Sequence, residues 1–164
     1  MRHARRTATA AFAIAIAACG EPTTATPDSA SAPQAVSTAK PELVPVPAGA
    51  SDGVALVRDE SARAQRDGRK LVVYVGAPWC EPCVAFHRAL EAGQLDAELP
   101  GVRFLDLDLE AHGPLIDAAG CSSKMVPLFA VATADGRCSD RRTQGGIKGD
   151  GAVSFILPRL KSIL

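Results

Sequence analysis

Two cysteines separated by two residues, Cys80 and Cys83, are the side chains of this sequence best suited to covalent chemistry. If a helix begins at the first, they lie one turn apart and their sulfurs can close a small disulfide ring. The apolar run 71–75 before them predicts a buried strand, and residues 84–92 predict a helix ended by Gly93. Cys80 would then lie at a helix N-terminus, where free N–H groups and the helix dipole favour thiolate over thiol. This order of elements predicts a reversible redox pair.

The Cys-x-x-Cys spacing is also found at zinc sites and at haem attachment sites. Haem attachment needs a histidine directly after the second cysteine, and this sequence has Val84 there. A structural zinc site usually needs a second close pair of ligands. The remaining candidates are not spaced as ligand pairs: Cys121, Cys138, His87 and His112. We therefore expect no metal and no other cofactor.

The residues around the two cysteines narrow the choice further. The motif Trp79-Cys80-Glu81-Pro82-Cys83, with Met125-Val126-Pro127 ahead of a strand at 128–132, resembles the thioredoxin superfamily over residues 51–164. The segment 62–71 is most similar to the C-terminal thioredoxin-like domain of bacterial membrane disulfide reductases. The resemblance implies an α/β fold with a central mixed β-sheet flanked by helices.

The same resemblance implies roles for five residues. Cys80 would attack a substrate disulfide and Cys83 would resolve the mixed disulfide. Pro127 would be a cis-proline beside the disulfide, which leaves the backbone of Val126 free to pair with an extended substrate. Trp79 would shield the disulfide and contact substrate. Structural alternatives are a disulfide without redox function, a proline that only begins a strand, and a tryptophan that only packs in the core.

Three further residues are expected to modulate the cysteines. A carboxylate at Glu81 would raise the pKa of a neighbouring thiolate and favour a reducing potential. Pro82 falls in the first helical turn, where a missing N–H costs little. Tyr74 stands where thioredoxins carry a buried aspartate, so the resolving cysteine lacks that base and should react slowly. Glu81 or water could replace the base, and two strand-end carboxylates are further alternatives: Asp106 and Asp108.

The first 18 residues resemble the signal peptide of a bacterial lipoprotein. Arginines at positions 2, 5 and 6 precede an apolar stretch, 8–18, that is too short to span a bilayer. Residues 16–19 resemble a lipobox, with Cys19 as the lipidated residue. The alternative is an ordinary secretory signal with an incidental cysteine. Both predict export, and lipidation would place the protein on the periplasmic side of a bacterial membrane.

Residues 19–50 are rich in alanine, proline, threonine and serine, and we expect a lipid-anchored disordered tether there. Residues 51–164 are then the folded domain. The whole chain carries 18 basic and 18 acidic residues, and removal of residues 1–18 leaves an acidic balance. This composition argues against a nucleic-acid partner, which requires a basic surface.

Patterns within the domain predict the remaining elements. They are helices at 52–67 and 113–119, a strand at 102–109, a hairpin of 128–133 and 137–143, and a last helix capped by Asp150 and kinked at Pro158. Cysteine counting favours a Cys121–Cys138 bridge in an oxidising compartment. The fold argues against it, because the hairpin should hold these cysteines roughly 17–20 Å apart. Whether they pair is left open.

Together these patterns predict an extracytoplasmic thiol–disulfide oxidoreductase that reduces or relays disulfides. Its expected partners are protein disulfides and a membrane electron donor, because an oxidising compartment holds no soluble pool of reductant. An oxidase or isomerase is the alternative within the same class, and two alternatives remain from other classes. One is a non-catalytic binding module of the same fold, and the other is a dithiol metallochaperone in cofactor assembly.

Overall fold

The computed structural model describes residues 37–164, so residues 1–18 and Cys19 lie outside the described part. The strands are β1 (Glu42–Pro45), β2 (Lys70–Gly76), β3 (Val102–Asp108), β4 (Leu128–Ala132) and β5 (Cys138–Gln144). The helices are α1 (Gly53–Arg66), α2 (Glu81–Glu91), α3 (Gly113–Ala118) and α4 (Ala152–Ile163). None of the helices within residues 37–164 is long and apolar enough to cross a bilayer.

The five strands form one mixed sheet in the order β1-β3-β2-β4-β5. β1 and β2 both run parallel to β3, so α1 and α2 are crossover helices. β4 is antiparallel to β2, and β5 returns antiparallel to β4 as a hairpin. The predicted α/β class, a mixed sheet flanked by helices, is confirmed.

Alternation along β2 divides the core between the two faces of the sheet. Val72 and Tyr74 pack with residues of α2 and α4, while Val73 and Val75 pack with residues of α1 and α3. Both faces of β2 are buried, as expected for a parallel strand covered by helices on each side. The first cysteine therefore follows a strand that is fixed on both faces.

The observed elements confirm the predicted helices and strands of residues 51–164 within a few residues. The start of α4 differs, because Gly151 occupies the N-cap position and no side chain caps the helix. The cap expected at Asp150 is wrong. The helix continues through Pro158 to Ile163.

The predicted domain boundary at residue 51 is too late. Residues 42–45 form the edge strand β1, in register with β3 from Glu42 against Arg103 to Pro45 against Asp106. Glu42 also forms an ion pair with Arg103, and the amide of Ser37 donates to the Gly68 carbonyl at 3.0 Å. The expected tether at 19–50 is thus wrong for its described part, because this short segment gains its hydrogen bonds from a distant strand.

A second disulfide joins Cys121 to Cys138, with their Cα atoms 5.2 Å apart. The expected separation of 17–20 Å is wrong. Cys121 is bonded to Cys138, which pairs with Ala132 at the end of β4, whereas Pro127, six residues after Cys121, precedes the start of β4. Cys138 begins β5 at the far end, where its amide donates to the Ala119 carbonyl at 3.0 Å.

Removal of this second bridge should destabilise the domain without stopping exchange at Cys80–Cys83. The bridge closes a loop of 17 residues in sequence separation. We expect the double variant Cys121→Ala/Cys138→Ala to lose about 3 kcal/mol of unfolding free energy, because its unfolded chain is less constrained. Urea unfolding of oxidised wild type and variant measures the difference. Equal midpoints would contradict a stabilising role for the bridge.

Candidate functional site

A disulfide between Cys80 and Cys83 lies at the N-terminus of α2, with Cα atoms 5.2 Å apart. Cys80 is the N-cap residue with extended backbone, and its sulfur accepts a hydrogen bond from the Cys83 amide at 3.3 Å. Both cysteines are buried. The hydrogen bond and the helix dipole favour negative charge on the Cys80 sulfur once the disulfide is reduced. The structure thus brings the two cysteines together as the spacing predicts.

At the end of β2, the absence of a side chain at Gly76 leaves room for the ring of Tyr74. A Cβ at Gly76 would overlap the Tyr74 hydroxyl, so a glycine is needed two residues after the tyrosine. Tyr74 is fully buried and packs at a tilt against Phe86, His87 and Phe129, with ring centroids 5.1–5.6 Å apart. Its hydroxyl has no hydrogen-bond partner in the described chain, and burial raises the pKa of the phenol. An aromatic ring therefore occupies the position of the expected acid.

Large apolar side chains lie exposed beside the disulfide. Trp79 is 62% exposed and Met125 is 53% exposed, so Trp79 does not serve only as core packing. The indole Nε1 of Trp79 donates to Glu110 Oε1 at 3.0 Å, which fixes the ring over the surface. Trp79, Met125 and Val126 line a shallow groove of about 330 Å³. A groove with these walls suits an apolar segment of a partner protein.

The peptide bond between Val126 and Pro127 is cis, as the resemblance implies. Pro127 is buried, and its carbonyl accepts from the Gly145 amide at 2.8 Å. The backbone amide and carbonyl of Val126 have no hydrogen-bond partner within residues 37–164. These two groups therefore remain available to an extended chain in the groove.

The loop between β5 and α4 closes the site on another side. A Cβ at Gly146 would lie 2.7 Å from Pro82 Cβ and 3.5 Å from Pro127 Cδ, so only glycine allows this close approach. The exposed carboxylate of Glu81 accepts a hydrogen bond from the Gly149 amide at 2.7 Å. Glu81, which lies between the two cysteines in sequence, is thus hydrogen-bonded to this loop.

The two strand-end carboxylates have different surroundings. Asp108 Oδ1 accepts from the backbone amides of Glu110 and Ala111 at 2.9 and 2.8 Å, so it caps a turn. Asp106 is half-buried, pairs in register with Tyr74, and lies 3.6 Å from His87 Nε2. Of the two carboxylates that the sequence offered as alternative bases, only Asp106 is not engaged in capping a turn.

Sequence analysis missed two residues of the site. His87, one helical turn after the second cysteine, was considered as a metal ligand, whereas its ring contacts Tyr74 and faces Asp106. Glu110, which holds Trp79, follows β3 and gives no local signal. Within residues 37–164, no group of three or more His, Cys, Asp or Glu side chains is arranged to hold a metal ion.

The sheet order, the helices on both faces and the disulfide at the start of α2 define an α/β domain of the thioredoxin-like fold. No family model matches the sequence, and no curated protein matches it. Among solved structures, the chain is similar to that of chloroplastic thioredoxin z. The two share 23% identity and a TM-score of 0.42, over 76% of this chain and 94% of the other.

Proposed function

We propose that this protein is an extracytoplasmic thiol–disulfide oxidoreductase that reduces or relays protein disulfides through Cys80 and Cys83. The observation that carries the proposal is the disulfide at the N-terminus of α2, where the Cys83 amide donates to the Cys80 sulfur. A sulfur held in this way is a better leaving group and a stronger acid than an ordinary cysteine.

The reaction has two steps. The Cys80 thiolate attacks one sulfur of a substrate disulfide, which forms a mixed disulfide and releases the other substrate sulfur as a thiolate. Cys83 then loses its proton and attacks Cys80, which forms the Cys80–Cys83 disulfide and releases the second substrate sulfur. The substrate gains two electrons and the cysteine pair loses two, so a dithiol donor must reduce the enzyme again. We propose a membrane protein as that donor.

The surface near the cysteines supports a protein substrate. Trp79 and Met125 offer exposed apolar area, and the unpaired backbone groups of Val126 can bind an extended segment as an added strand. Recognition through the backbone leaves the substrate sequence largely free. This surface suits a disulfide in a flexible loop better than one inside a folded core.

An insulin reduction assay tests the proposed function. With dithiothreitol as the donor, we expect wild type to accelerate precipitation of the insulin B chain well above the rate with dithiothreitol alone. A non-catalytic binding module would bind a disulfide peptide without any acceleration. Absence of acceleration, with the Cys80–Cys83 pair shown to be reduced, would overturn the proposal.

We also propose that a lipid on Cys19 holds the protein at the periplasmic face of a membrane, which rests on the sequence of residues 1–19. Cys19→Ala should move the protein from the membrane fraction to the soluble fraction, because the acyl chains supply the membrane affinity. Fractionation of cells followed by urea unfolding of the released protein checks this. Retention of the variant in the membrane fraction would count against lipidation.

A further inference from the structure

A cavity of about 520 Å³ lies between α2 and the strands β2 and β3. The residues lining it include Cys83, Tyr74, His87, Asp106, Asp108 and His112. The unpartnered hydroxyl of Tyr74 belongs to a lining residue, and several other walls are polar. The Tyr74 hydroxyl itself is sealed from solvent, but carboxylate and imidazole groups lie among the cavity walls. A cavity of this size admits water, which can connect Cys83 to those groups.

Asp106 is a half-buried carboxylate of this cavity that accepts no hydrogen bond from the described residues. No hydrogen-bond donor in residues 37–164 engages its oxygens, whereas Asp108 is used to cap a turn. Its one close partner is His87, with Nε2 3.6 Å from Oδ1 and both side chains about 30% exposed (29% for Asp106 and 31% for His87). Glu91 also lines the cavity but is itself exposed to solvent.

The charges near Asp106 include some that raise its pKa and some that lower it. Burial raises the pKa of Asp106 above its ordinary value, and the nearby Asp108 raises it further. His87 on α2 and His112 before α3 lower the pKa when protonated. Tyr74 on β2 stays neutral, because burial raises the pKa of its phenol. Arg88 and Glu91 on α2 line the same cavity with opposite charges. Asp106 is therefore a stronger base than an exposed aspartate, which suits proton transfer near neutral pH.

We propose that Asp106, paired with His87, accepts the proton of Cys83 through the cavity during resolution of the mixed disulfide. The inference deepens the proposed function and rests on it. The Cys83 S–H bond breaks, its proton passes through water to the Asp106 carboxylate, and the thiolate attacks Cys80. The Cys80–substrate bond breaks as the Cys80–Cys83 bond forms, and the substrate leaves as a thiolate. Reduction of the enzyme by its donor returns the proton to Cys83.

The test separates attack from resolution. Full-length protein carrying Cys19→Ala, with the Cys80–Cys83 pair reduced, is mixed with dithiobis-nitrobenzoate in a stopped-flow instrument. Attack by Cys80 releases one coloured thiolate, and resolution by Cys83 releases a second. We expect Asp106→Asn to slow the second phase roughly 10²-fold near neutral pH and to leave the first phase unchanged, because only Cys83 loses its proton acceptor.

The pH profile shows whether a proton acceptor is lost. In wild type the second phase should level off above the pKa of Asp106, whereas in Asp106→Asn it should keep rising with pH until Cys83 ionises by itself. His87→Gln keeps Asp106 and removes the imidazole that, when protonated, lowers its pKa, so the midpoint of the second phase should move to higher pH. This variant tests the inference even if Asp106→Asn folds poorly.

Glu91→Gln is the matched control, because it removes a carboxylate lining the same cavity. We expect both phases of this variant to equal those of wild type. An unchanged second phase in Asp106→Asn, or equal slowing in Glu91→Gln, would overturn the inference. Absence of the first phase in wild type would instead contradict the proposed function itself.

Discussion

Cys80→Ser should reduce insulin cleavage to the background rate, while Cys83→Ser should accumulate a mixed disulfide with substrate. The two substitutions have different effects because only Cys80 lies at the helix N-cap, where an amide donates a hydrogen bond to its sulfur. Loss of Cys80 removes the attacking thiolate. Loss of Cys83 leaves the attack intact and removes the neighbouring thiol that releases the substrate.

Non-reducing electrophoresis and mass spectrometry measure the trapped species, which should approach one substrate per protein in Cys83→Ser. The double variant Cys121→Ala/Cys138→Ala is the control, since it also loses cysteines but keeps the pair at α2. It should reduce insulin like wild type. Faster alkylation of Cys83 than of Cys80 in the reduced wild type would show that the roles are reversed.

Tyr74→Asp should destabilise the domain and, in the Asp106→Asn background, restore fast resolution. Tyr74 is fully buried among aromatic rings, so replacement by a small residue should cost about 4 kcal/mol. The new carboxylate would line the same cavity as Cys83. It would therefore stand in for Asp106 as the proton acceptor, provided the protein still folds.

Tyr74→Asn is the matched control, because it opens a similar space without adding an acid. Burial would raise the pKa of an aspartate at this position in the folded state, so its ionisation favours unfolding. The aspartate variant should therefore lose stability relative to the asparagine variant as the pH rises above about 4, the ordinary aspartate value. Equal second-phase rates in the two double variants that carry Asp106→Asn would contradict the predicted rescue.

The central part of the fold could be predicted from local sequence alone. The apolar run within β2 and the helical pattern of α2 are set by neighbouring residues, so their bounds follow from periodicity and from Gly93. The edge strand β1 could not be predicted in the same way. It has four residues and gains its hydrogen bonds from β3, which lies about sixty residues later in the chain.

Residues of the candidate site could likewise be predicted only where they are close together in the sequence. Cys80, Cys83 and Glu81 occur in one short motif, and the sequence shows them directly. The pair of Asp106 and His87 joins a strand to a helix, and no spacing rule connects them. The Cys121–Cys138 bridge also could not be predicted from local sequence, because the path of the chain after Cys121 depends on how α3 packs.

The hydrogen bond from the Gly149 amide to Glu81 limits how this redox pair can be engineered. Exchange of the dipeptide between the two cysteines changes the charge beside the disulfide. In this protein the same exchange would also release the 145–150 loop, which packs through Gly146 against Pro82 and Pro127. Replacement of the dipeptide Glu81-Pro82 would therefore alter both the fit of the substrate and the redox potential. Glutamine at position 81 can keep the hydrogen bond while removing the charge, and so separates the two effects.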